Sequence, residues 1–88
     1  MKIVFNYYAQ IRRAAGAETE CVEVAAGATL LETLKTMDHG AEFAALLFDA
    51  AGAPQPVILY LVNGRAATPE QRLSDGDHVS VFSPVAGG

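Results

Sequence analysis

Apolar and polar positions alternate along Lys2–Tyr8, so that Ile3, Phe5 and Tyr7 fall on one face. Period two and a β-branched and aromatic composition predict a strand there. A second strand is predicted over Thr19–Val24, with Val22 and Val24 on one side and Cys21 and Glu23 on the other. The segment Ala9–Ala17 ends in small residues around Gly16 and reads as a loop. The two strands then form an antiparallel hairpin.

The period changes after Thr29. Leu30, Leu31, Leu34 and Met37 recur at helical spacing, and Glu32 stands three residues after Thr29, the spacing of a capping box. Asp38-His39-Gly40 is the expected stop, with Gly40 available for a left-handed cap. A second, shorter helix is expected over Ala41–Phe48, followed by a loop at Asp49–Pro56 that carries Gly52, Pro54 and Pro56. Val57–Val62 is apolar on both faces, which marks a central strand covered on both sides or covered by a partner. Asn63-Gly64 is a type I′ hairpin signal, leading into a short strand at Arg65–Ala67. Leu73 is expected to plug the core, Asp75-Gly76-Asp77 to turn, and His78–Phe82 to form the last strand with Val79 and Val81 facing in. The order is two strands, a helix and then two or three strands. The fold class is therefore α+β, with one principal helix across one face of a mixed sheet.

Composition narrows the function. With 88 residues the chain has room for one domain, here residues 1–82, and for a short tail at 83–88. Six basic against ten acidic residues leave a net charge of −4, which disfavours a phosphate-backbone partner, so no nucleic-acid role is expected. No apolar run is long enough to span a bilayer, and the N-terminal segment lacks the pattern of a signal peptide. A cytoplasmic location without membrane association is the expectation. One cysteine and two histidines give no metal-ligand cluster, and no phosphate-binding glycine loop is present. No metal and no bound cofactor are expected.

The chemistry points to the C-terminus. Pro84 ends ladder pairing after the last strand, and Val85, Ala86, Gly87 and Gly88 have too little apolar mass to pack. A flexible arm ending in two glycines is expected. Other candidates reduce to ordinary roles: Cys21 to an edge or solvent-facing thiol, Asp75 and Asp77 to turn formers, His78 to a turn–strand junction without an orienting third group. If Val79 and Val81 face in, Phe82 faces out. Tyr8 faces out likewise, and the next strand contributes Leu59 and Leu61, where parity is ambiguous. This aromatic–aliphatic patch beside the tail root is a candidate partner surface, with Arg12 available to meet an acidic group.

Tyr7-Tyr8-Ala9-Gln10-Ile11-Arg12, the capped helix, Val62-Asn63-Gly64, Leu73-Ser74-Asp75-Gly76-Asp77 and Pro84-Val85-Ala86-Gly87-Gly88 occur in that order. Together they resemble the MoaD/ThiS family of ubiquitin-like sulfur carriers, over essentially the whole chain. The resemblance implies a β-grasp fold and a non-catalytic carrier whose Gly88 carboxylate is adenylated and converted to a thiocarboxylate. It also implies an adenylating, MoeB/ThiF-like activating enzyme that supplies ATP and Mg²⁺. The implied acceptor is an enzyme such as the large subunit of molybdopterin synthase. Cysteine, thiamine or tRNA thiolation, or protein modification through Gly88, are the alternatives. His39–Pro56 is longer than in the compact thiamine carriers, and Ser83-Pro84 stands where molybdopterin carriers often have two prolines.

Overall fold

A computed structural model describes residues 1–83. It contains β1 (Lys2–Tyr7), α1 (Ala9–Ala15), β2 (Thr19–Glu23), α2 (Leu30–Lys35), α3 (Ala41–Leu47), β3 (Leu59–Val62), β4 (Arg65–Ala67) and β5 (His78–Phe82). The five strands form one sheet in the order β2-β1-β5-β3-β4. β1 runs parallel to β5, and the other neighbours are antiparallel. This is the mixed sheet of the β-grasp fold expected above. The tail residues 84–88, named above as the reactive arm, lie outside the described residues.

Alternation decides which face is buried. Ile3, Phe5 and Tyr7 of β1, Val79 and Val81 of β5, and Tyr60 and Val62 of β3 are buried in one cluster with Ile11 of α1, Leu30 and Leu34 of α2, and Phe43 and Leu47 of α3. All three helices therefore pack on the same side of the sheet, and the opposite face carries no helix. Leu73 closes this core from the loop before β5, as its apolar character within a polar stretch predicts. Burying each such aliphatic side chain contributes about 1.5–3 kcal/mol.

Local signals explain several elements. The Thr29 hydroxyl accepts the Glu32 N–H at 3.1 Å, and the Glu32 carboxylate accepts the Thr29 N–H at 2.8 Å, completing the capping box. Hydrogen bonding from Thr29, its backbone N–H above all, holds the Glu32 carboxyl below its ordinary pKa. Asn63 and Gly64 both take positive φ, 52° and 82°, as a type I′ turn requires. Asp77 then ties two turns together: one carboxylate oxygen accepts the Asn63 amide at 2.9 Å and the other accepts the Ser74 N–H at 2.8 Å.

The structure corrects four readings. Ala9–Ala15 is a helix and not a loop. Its one buried residue, Ile11, docks into the core, and Gly16 ends it at φ 74° with its N–H bonded to the Arg12 carbonyl. A single apolar anchor produces no periodicity for a pattern to reveal. Gly40 does not cap α2; that helix ends at Lys35 with Thr36 as its cap, and Gly40, at φ 92°, precedes α3 instead. Three short helices thus share the role assigned to one. Finally, β3 begins at Leu59, leaving Val57 exposed after Pro56, and it lies one strand from the edge while β5 is central.

Candidate functional site

The uncovered face is assembled by register. Leu59 of β3 stands opposite Phe82 of β5, and Leu61 opposite Ser80. β5 continues this face with His78, which pairs with Val4 of β1. Tyr8 leaves the end of β1, and its ring stacks on Phe82 with centroids 4.5 Å apart and planes 8° from parallel. The corner that permits this is Ala9, which takes φ 51°, a left-handed value uncommon outside glycine and asparagine. Tyr8 and Leu59 are 42% and 56% exposed, against 0% for Tyr7 one residue earlier. Phe82 and Leu61 are half-buried.

Four of the five residues expected on the partner surface are therefore on one face, three of them in a contiguous row from Tyr8 through Phe82 to Leu59. Arg12 belongs to a different element, the last turn of α1, where its positive charge lies near the helix's negative end. Phe82 is followed by Ser83, so the apolar row lies where the chain leaves the sheet. Among the described residues, Tyr8, Val57 and Leu59 are the large apolar side chains left exposed. Val57 escaped the sequence reading because its run looked uniformly buried; the preceding Pro56 was the available signal.

Other candidates are placed as expected. Cys21 is an exposed free thiol on β2. Asp75 accepts the Lys2 N–H at 2.7 Å and Asp77 holds its two turns, so both carboxylates serve structure.

One cluster was not legible beforehand. The Tyr7 hydroxyl donates to the Glu20 carboxylate, and His39 bonds the same oxygen. The His39 ring also meets Phe43 edge-on, at 4.8 Å. Burial, reinforced by the Glu20 charge, raises the Tyr7 pKa well above its ordinary value. The cluster fastens the α2–α3 connection to the sheet on the helix side, away from the apolar row. Its partners are far apart in sequence, so no local pattern announces it.

The model of the ThiS family matches residues 5–88. The chain belongs to the ThiS family. That family is one of ubiquitin-like sulfur carriers and modifiers, and its members are not themselves enzymes. Among solved structures, SAMP1 from Haloferax volcanii is 27% identical, with a TM-score of 0.90 and 100% of both chains covered. A Pyrococcus furiosus protein described as molybdopterin converting factor subunit 1 is 26% identical, with a TM-score of 0.70 and coverage of 97% of this chain and 99% of that one. A structure from Helicobacter pylori, the complex of subunits 1 and 2 of molybdopterin-converting factor, matches at 19% identity and a TM-score of 0.65 over 100% of both chains. That last likeness is one of fold alone. No curated protein matches the sequence significantly. Among the described residues, no helix is long and apolar enough to cross a membrane.

Proposed function

We propose that this chain is a sulfur carrier for molybdopterin synthesis, with the Gly88 carboxylate as its working group. The observation that carries the reading is the family match, which runs through Gly88. An ionised α-carboxylate is a poor electrophile. A MoeB/ThiF-like activating enzyme, supplying ATP and Mg²⁺, converts it to an acyl adenylate with release of pyrophosphate. The terminal sulfur of a persulfide donor then attacks the acyl carbon and displaces AMP, forming an acyl disulfide. A thiol reductant cleaves its S–S bond, is itself oxidised to a disulfide, and leaves a thiocarboxylate, the nucleophile passed to the acceptor. Gly88 presents no side chain against attack at its carbonyl, and Gly87 passes a narrow channel without a Cβ. Residues 84–88 reach at most ~16–18 Å when extended. A partner docked on the row Tyr8–Phe82–Leu59 therefore receives the carboxylate within that radius. The Pyrococcus likeness favours a molybdopterin synthase large subunit as the acceptor.

A second reading is supported by the SAMP1 likeness. A modifier shares the adenylate but yields it to a lysine amine, forming an isopeptide bond. In both cases the terminal position of the acyl carbon is essential. Deleting Gly88, or adding a residue after it, shifts that carbon by ~3.3–3.6 Å, beyond what near-attack geometry tolerates. ATP–pyrophosphate exchange with the activating enzyme should be lost in both variants while thermal stability is unchanged. Exchange at the native rate in either variant overturns the assignment of Gly88.

A further inference from the structure

β2 is an edge strand, and the hydrogen bonds around it show which of its backbone groups are free. Met1 and Val24 exchange bonds in both directions, and Tyr7 donates its N–H to the Glu18 carbonyl. These pairs share one register with Ile3–Val22 and Phe5–Glu20. In an antiparallel ladder the bonded pairs alternate with unbonded ones. Thr19, Cys21 and Glu23 therefore turn both N–H and C=O away from β1. No backbone bond from another segment of the described residues reaches them.

Beside the end of this edge runs a groove of about 410 Å³ between β2 and α2, lined by Val24, Ala25, Ala28, Thr33 and Thr36 and rimmed by Glu23 and Glu32. Thr33 is fully buried at its floor, with its hydroxyl bonded to the Thr29 carbonyl. The surroundings are acidic. Glu18, Glu23 and Glu32 are exposed, and the sole ion pair among the described residues is His39–Glu20, so these three carboxylates lack a close cation. Lys2 opposite Glu23 and Arg72 near Glu32 offset them only in part.

We propose that the β2 edge binds an extended peptide segment in which apolar residues alternate with Lys or Arg. The segment adds a strand to the sheet through the backbone groups of Thr19, Cys21 and Glu23. Its apolar side chains enter the groove against α2, and its cations lie on the opposite face beside Glu23. A second copy of this chain is a poor occupant, because two acidic edges would face each other. The edge lies at the far side of the sheet from β3, across β1 and β5. A carrier held there keeps its apolar row free.

The test uses the full chain and a short capped peptide alternating lysine and valine, followed by amide NMR and hydrogen exchange. Binding should protect the amides of Thr19, Cys21 and Glu23 and leave the already bonded Glu20 and Val22 little changed. A matching peptide of glutamate and valine should not bind. Cys21→Pro removes one outward donor without touching the β1 ladder and should abolish binding. Glu23→Lys keeps the backbone intact and should weaken binding about two- to fivefold, as expected for an exposed charge pair. Equal binding of the acidic peptide overturns the proposal. So do shifts confined to Tyr8, Leu59 and Phe82, or edge protection that rises with protein concentration without peptide.

Discussion

Phe82→Ala separates the partner surface from the core. The Phe82 ring is half-buried, stacked on Tyr8 at 4.5 Å and flanked by Leu59, itself 56% exposed. Truncation removes a stack worth ~0.5–1.5 kcal/mol beyond its area, plus a fraction of the apolar burial of one side chain. A stability loss of about 1–2 kcal/mol is expected on that basis. Leu34→Ala, at 1% exposure within the core, should cost ~2–5 kcal/mol because the cavity cannot refill with water. Binding should show the opposite order. Phe82→Ala should weaken association with the activating enzyme or acceptor by ~1–3 kcal/mol, as aromatic anchors do, whereas Leu34 touches no partner. Denaturant melts give the first quantity and titration calorimetry the second. A double-mutant cycle with Tyr8→Ala should return a stability coupling of ~0.5–1.5 kcal/mol for the stack. If Phe82→Ala destabilises as much as Leu34→Ala, or binds partners at native affinity, the outer row is not a docking surface.

The remaining predictions concern the scaffold. Tyr60 is 3% exposed and its hydroxyl has no hydrogen-bond partner among the described residues, so Tyr60→Phe should be neutral or stabilising by up to ~1 kcal/mol in chemical denaturation. A loss exceeding that gain would reveal a bonded hydroxyl. Burial pushes the Tyr60 pKa up to about 12, above the ordinary 10.0. Stability from keeping it neutral is complete below pH 10 and is lost as pH rises through 12, so Tyr60→Phe should flatten the alkaline limb of stability against pH. Thr29→Ala deletes the hydroxyl half of the capping box and should cost about 1 kcal/mol by thermal melt, with Thr29→Ser restoring most of it.

Elements whose signal is local were legible in the sequence. The capping box needs only Thr29 and Glu32, the type I′ turn only Asn63 and Gly64, and the inward pair Val79 and Val81 only alternation. The apolar row was legible for the same reason, since Phe82 and Tyr8 stand one position out of phase with buried neighbours. What failed depended on tertiary contact. α1 exists because Ile11 docks on the sheet, and nothing within Ala9–Ala15 repeats at helical spacing. Gly40 has the positive φ that a helix end would use, yet it opens α3, because α2 stops a turn earlier. The Tyr7–Glu20–His39 cluster joins a strand, its hairpin partner and a helix connection, a meeting that only the folded topology creates. The same holds for the free edge of β2, which becomes an edge only once the strand order is known.

The central claim is that sulfur resides on the carbonyl of Gly88. Intact and fragment mass spectrometry of the full chain, after incubation with activating enzyme, ATP, Mg²⁺, a persulfide donor and a thiol reductant, reads that directly. The predicted product has one oxygen replaced by sulfur, localised to the C-terminal fragment that holds Gly88, and that fragment gains the mass of an alkyl group when the thiocarboxylate is alkylated. Sulfur added to Cys21 as a persulfide, or a C-terminus that stays an ordinary carboxylate while the acceptor still receives sulfur, would contradict it.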